Sequence, residues 1–215
     1  MIADPTTRLN PLHPHHQKLL ADSAISNVVA STRGYRSIAN PDELRPLGFG
    51  ATQRRPGLLI PIRGVDGLVA THQLRPDTPR LNDDGKTIKY ETPAGGRLVL
   101  DVPPPARPHL PNPKVDLWIT EGARKVDSGI SNGIPCIVGL MGVWGFRGTN
   151  LFGGKTELAD WSAVALNDRK VFVAFDSDVM TKESVRGAID ALAAFLHRKG
   201  GTVRYVLLPA GAGAL

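Results

Sequence analysis

From residue 114 onward the sequence alternates short apolar runs with longer amphipathic ones, and this rhythm narrows the possible folds more than any other feature. Val115–Thr120 (VDLWIT) reads as a strand. Gly122–Asn132 can form a helix that ends at Gly133. Pro135–Leu140 is a second buried strand, and Val171–Phe175 (VFVAF) a third. Over residues 182–199, Val185, Ala188, Ile189, Leu192, Phe195 and Leu196 share one helical face, with charges opposite, until Gly200-Gly201 stops the helix. Thr202–Leu208 (TVRYVLL) is the last strand. Alternating strands and helices imply an α/β fold, a parallel sheet with helices packed on it. In such sheets ligands sit at the carboxyl ends of the strands.

The first half has a different rhythm. Residues 1–16 are Pro- and His-rich and read as a flexible arm. Within it His13, His15 and His16 could bind a metal, although a solvated tail is the simpler reading. Residues 17–31 form a short helical pair ended by Gly34-Tyr35, and Asn40 caps a new helical start at Pro41. Leu58–Ile62, the turn Val65-Asp66-Gly67 and Leu68–Leu74 read as a hairpin. Asn82-Asp83-Asp84-Gly85 marks another turn. Residues 103–113 (PPPARPHLPNP) carry six prolines and are expected to be a linker. The expected organisation is therefore an arm (1–16), a smaller α+β basic subdomain (17–102), the linker (103–113), a parallel-sheet domain (114–209) and a tail (210–215).

Charge and cysteine content bear on function. The formal net charge is +6, and the stretch Arg33–Arg63 is the densest in arginine. Such a balance favours an acidic partner such as nucleic acid. The single cysteine, Cys136, excludes a disulfide framework or a cysteine-based zinc site within one chain. No apolar run is long enough to span a membrane and no secretory signal is visible, so no membrane partner and a cytoplasmic location are expected.

The acids fall where a parallel sheet would use them. Glu121 directly follows the strand VDLWIT, and Asp176-Ser177-Asp178 directly follows VFVAF. If those strands are neighbours, the three carboxylates meet at one edge. Hard oxygen ligands of this kind suit Mg²⁺ or Mn²⁺, with waters and substrate phosphates completing the shell. Taken singly, an acid at a strand end often only caps the next helix.

Leu117-Trp118-Ile119-Thr120-Glu121-Gly122 resembles the first motif of the TOPRIM family, an apolar strand followed by Glu-Gly. Ala174-Phe175-Asp176-Ser177-Asp178 resembles the second, a strand followed by Asp-x-Asp. Gly133-Ile134-Pro135 and Leu140-Met141-Gly142 look like the family's second strand and glycine turn. The resemblance covers residues 114–208. It implies that Glu121 serves as an acid/base or metal ligand, and that Asp176 and Asp178 hold Mg²⁺. Upstream, Leu59–Arg63, Asp66-Gly67, Gln73–Arg75 and Lys89-Tyr90 are similar to the basic subdomain preceding TOPRIM in bacterial primases. On that resemblance Arg54, Arg55, Arg63, Arg75 and Lys89 are candidate phosphate contacts. Arg124 and Lys125, which open the helix after Glu121, are further candidates. The whole arrangement most resembles primase-like TOPRIM proteins of phages, plasmids and integrated elements, in which the Gly142-Val143-Trp144-Gly145 run looks typical. It departs from the bacterial primases in offering neither a cysteine zinc module nor a helicase-binding C-terminal domain, so a fragment or a reduced relative is expected.

The implied function is a Mg²⁺-dependent primase-like nucleotidyltransferase of mobile-element replication. Single-stranded DNA template and NTPs would be its substrates, and a replicative helicase a further partner. A metal-dependent nuclease using the same acids, and a non-catalytic DNA-binding accessory module, are the alternatives. Gly148–Thr156 resembles a phosphate-binding P-loop but has five residues between Gly148 and Gly154 where the motif needs four. Lys155 could still touch a phosphate from this loop. Trp144 is open to base stacking or to packing.

Overall fold

The hairpin expected at residues 58–74 forms the middle of an antiparallel sheet. Strand β1 (Arg36–Ile38) pairs with β2 (Gly57–Arg63), and β2 pairs with β3 (Val69–Pro76). The chain is seen in a computed structural model that describes residues 12–175 and 183–206. Period-two alternation sends Leu58, Ile60 and Ile62 to one face of the sheet and Leu59 to the other. The first face packs on α1 (Pro14–Asp22) and α2 (Asn27–Arg33) through Leu20, Ile25 and Val29. The second packs Leu59 and Leu74 with Ile38, Leu44 and Phe49. Pro61 is tolerated because β1 pairs only with residues 57–59, which leaves the proline beyond its end. Asn40 accepts a hydrogen bond from the Asp42 N–H at 3.0 Å and caps a 3₁₀ turn, Pro41–Leu44.

The arm expected over 1–16 differs from what is found for its last residues. Pro14–His16 make the first turn of α1, because proline is well placed at a helix start and His16 is buried with partners on both ring nitrogens.

The second half is a parallel sheet flanked by helices, as the strand–helix rhythm implies. β4 (Leu117–Glu121), β5 (Ile137–Leu140), β8 (Lys170–Ala174) and β9 (Thr202–Tyr205) lie in the order β5-β4-β8-β9, every pair parallel. Helix α3 (Ala123–Ser131) connects β4 to β5, and α4 (Glu183–Arg198) lies between β8 and β9 in the chain. Leu117, Ile119, Val138, Val171 and Val173 form the core with Leu192, Phe195 and Leu196 of α4. A short antiparallel pair, β6 (Arg147–Thr149) and β7 (Lys155–Glu157), is inserted between β5 and β8.

The proline-rich segment 103–113 packs on the parallel sheet and buries Ala106 and Leu110 in its core. The buried Arg169 guanidinium explains how. It donates to the carbonyls of Val115, Leu110, Ala165 and His109 at 2.8–3.0 Å. The His109 and Leu110 carbonyls of the segment are thereby tied to Val115 and Ala165 through one side chain. Just upstream, Asp101 bridges to Gly139 of β5 through both backbone bonds, at 2.9 and 2.8 Å. Glycine is required there, because a Cβ on Gly139 would lie 2.9 Å from Val126 Cγ2 and 3.2 Å from Asp101 Cβ.

Candidate active site

The carboxyl ends of β4, β5 and β8 share one edge because the strands are parallel. β4 and β8 are direct neighbours, with Thr120 opposite Ala174. The next residues along are Glu121, half-buried, and Phe175, buried. Asp176, Ser177 and Asp178 lie outside the described residues. The chain leaves β4 through Gly122, whose φ of +84° favours glycine, and the Gly122 N–H donates to the Leu140 carbonyl at 3.1 Å. Glu121 thus sits on a turn tied to the neighbouring strand.

Helix α3 begins immediately after this turn, and its second residue, Arg124, reaches the other half of the molecule. It donates to the Tyr90 hydroxyl at 3.2 Å and to Ser23 Oγ of the loop after α1. Arg75 of β3 donates to the same Tyr90 oxygen at 3.4 Å, with its guanidinium 5.7 Å from the ring centroid. Two cationic side chains, one from each half, therefore meet on a single neutral oxygen. Lys89, beside Tyr90 in the chain, is exposed. Cations held by neutral groups are well placed to receive an anion.

The other basic candidates do not join this cluster. Arg54 lies 3.8 Å from Asp42, and Arg55 donates at 3.5 Å to the carbonyls of Thr52 and Thr78. Arg63 donates to the Gly67 carbonyl at 3.3 Å, at the opposite end of β2 from Arg55. Seven extended residues separate those ends by about 20 Å, so Arg55 and Arg63 form no single patch. Lys125 is half-buried on α3. Lys155 is exposed on β7 and donates to Thr149 Oγ1 at 2.7 Å.

The loop resembling a phosphate-binding segment is a hairpin whose tip is closed on itself. Asn150 Oδ1 accepts from the N–H groups of Phe152 and Gly154 at 3.0 and 2.8 Å. Those donors are therefore already used. Trp144 carries the Arg147 guanidinium 3.9 Å from its ring centroid, so one face of the indole is covered.

An ionic cluster unforeseen in the sequence joins the two halves. Arg33 of α2 is buried and binds Asp127 of α3 through Nε (3.1 and 2.9 Å to the two oxygens) and Nη2 (2.7 Å). Its Nη1 contacts Asp101 Oδ1 at 2.5 Å. Tyr35 donates to Asp127 Oδ2 at 2.7 Å. Burial works against the Arg33 charge, but Asp101 and Asp127 outweigh it and raise the pKa further. Burial and the Asp127 charge push the Tyr35 phenol well above its usual value. A signal for Asp127 existed. Ala123, Val126, Asp127 and Ile130 recur at helical spacing, which places the acid inside the apolar stripe.

The Aquifex aeolicus primase structure of zinc-binding and RNA polymerase domains superposes with a TM-score of 0.62, at 16% identity, over 93% of this chain and 51% of that one. A DnaG catalytic core gives 0.59 at 18% identity, covering 96% and 68%. The fold is that of bacterial primase catalytic cores. The RNA polymerase domain of Mycobacterium tuberculosis primase DnaG, in complex with double-stranded DNA carrying a 6-nucleotide overhang, gives 0.56 at 18% identity, covering 92% and 66%. The chain thus spans about half the length of the Aquifex protein and about two thirds of the others. A family model described as a domain of unknown function (DUF3854) matches residues 109–214, which takes in the primase-like parallel sheet. No curated protein matches the sequence. Among the described residues no helix is long and apolar enough to cross a membrane.

Proposed function

We propose that this chain is a Mg²⁺-dependent, primase-like nucleotidyltransferase domain that extends short RNA on a single-stranded DNA template, in the replication of a phage, plasmid or other mobile element. The observation carrying this reading is the pairing of β4 with β8. Glu121 and the residue that precedes Asp176 end neighbouring parallel strands at the same edge. In this reading Glu121, Asp176 and Asp178 hold the cation, and hard carboxylate oxygens after adjacent strands suit it. When bound, Mg²⁺ supplies positive charge against the nucleotide phosphates and orients them for in-line displacement.

The remaining work falls to this chain's own cations. Arg75 and Arg124, gathered on Tyr90, bind backbone phosphates of the template and fix its path without reading sequence. Lys89 extends that track on the exposed side. The mobile-element setting rests on the Gly142–Gly145 and Phe175–Asp178 runs, which resemble those of primase-like TOPRIM proteins.

Purified protein given single-stranded DNA, NTPs and Mg²⁺ should make short RNA, and Asp176→Ala should abolish it. Product that persists unchanged in Asp176→Ala overturns the assignment. Cleavage of labelled DNA without NTPs would move the same acidic edge to a nuclease.

A further inference from the structure

Four side chains converge where α1 begins. The ring nitrogens of His13, His15 and His16 come within 4.8 Å of one another. Asp77, just past β3, places Oδ1 2.8 Å from His16 Nε2 and 3.2 Å from His15 Nε2. One carboxylate oxygen therefore faces two imidazoles, with a third ring stacked 5.9 Å from His16. Tetrahedral zinc, with bonds of about 2.0–2.1 Å, holds its ligand atoms roughly 3.3 Å apart. The 2.8 and 3.2 Å separations about Asp77 are already near that spacing, and the three imidazoles lie within 4.8 Å of one another.

The surroundings are built to hold the ligands. His16 is 2% exposed, and its Nδ1 lies 2.8 Å from Ser37 Oγ of β1. The same hydroxyl oxygen accepts the His13 N–H at 2.8 Å. A metal on His16 Nε2 requires the ring proton on Nδ1, and Ser37 Oγ has a second lone pair to accept it. The Asp77 N–H donates to the Pro56 carbonyl at 3.0 Å, which fixes the backbone that carries the carboxylate. Two imidazoles on one carboxylate oxygen, with a third ring beside them, are more than a single ion pair needs.

We propose that His13, His15, His16 and Asp77 form a zinc site that fastens α1 to the end of β3. Imidazole-rich ligands with one carboxylate select Zn²⁺ over Mg²⁺, which separates this site chemically from the acidic edge of the parallel sheet. Four protein ligands leave no open position, so the ion is structural. The site is independent of the reading of Glu121.

The test uses the full 215-residue chain without a histidine tag. After treatment with a chelator it is titrated with Zn²⁺ by calorimetry, and metal content is measured by mass spectrometry. One zinc per chain should bind, the thermal midpoint should rise, and excess Mg²⁺ should not displace the ion. His15→Ala and Asp77→Ala, at the more exposed ligands, should each weaken binding by at least about tenfold, while the far-ultraviolet spectrum of the zinc-free chain stays unchanged. Glu121→Gln should bind zinc as the parent does. Absence of stoichiometric zinc, undiminished affinity in both ligand variants, or loss of the zinc in Glu121→Gln would each overturn the proposal.

Discussion

The two sheets handle charge in opposite ways. In the parallel sheet, an apolar strand carries a charge to the carboxyl edge: Glu121 is the last residue of β4, at the rim, just before the turn at Gly122. Around the antiparallel sheet several arginines are engaged with acids of the protein itself, and one of them is fully buried. Arg33 lies in the interior with Asp101 and Asp127, Arg36 meets Glu43 at 2.9 Å, and Arg80 meets the buried Glu91 at 2.6 Å. A basic composition is therefore a poor map of a nucleic-acid surface. Arg75 and Arg124, which share the Tyr90 hydroxyl, lie between the halves.

The largest expected effect strikes the link between the two regions. Arg33→Met leaves Asp127 and Asp101 buried without their counter-charge, and should cost about 3–5 kcal/mol. Urea unfolding followed by far-ultraviolet dichroism would show it. A loss below about 1 kcal/mol would mean that the halves are held by apolar packing alone.

Next in size is the acidic edge. Glu121→Gln keeps the shape and removes the charge, and should lower RNA synthesis about a hundredfold with little change in the thermal midpoint. Wild-type rates in this variant would detach the edge from the chemistry.

Smaller effects are expected at the Tyr90 cluster. Arg75→Ala and Arg124→Ala should each weaken single-stranded DNA binding several-fold and reduce the salt slope of log K by about 0.7. Arg63→Ala, at the far end of β2, should change neither. Equal losses at all three positions would restore a continuous basic track.

The pH dependence concerns the antiparallel sheet. Burial, aided by the Arg36 and Arg63 charges, lowers the His72 pKa from 6.5 to about 4. The unfolded chain then binds more protons between those values, so this residue's contribution is complete above pH 6.5 and falls as pH drops toward 4. His72→Gln should flatten that slope, measured as the urea midpoint across pH 4–7. Least of all, Lys155→Ala should leave both activity and DNA binding within twofold, since the loop donors near it are closed on Asn150.

The strand–helix rhythm made the parallel sheet legible, because buried parallel strands need continuous apolar runs and glycine ends each connection. Glu121 was legible for the same reason: it is the residue after such a run. The hairpin of β2 and β3 was read from its turn. The course of the proline-rich segment was not, since proline frequency marks a lack of backbone donors and says nothing of what lies beneath. Arg169 and the core beneath Ala106 and Leu110, distant in sequence, hold that segment. The folded state of the histidines at 13–16 depends in the same way on Ser37 and Asp77.

The sequence by itself determined the class of the second half and the residues at its strand ends, because period and strand length are local properties of the chain. Tertiary structure decided which strands are neighbours, which arginines are spent inside, and that Arg75 and Arg124 share one phenol oxygen. These are contacts between residues far apart in the chain, where many pairings satisfy the local pattern. Packing, the pairing of buried charge and close approaches such as that at Gly139 select one.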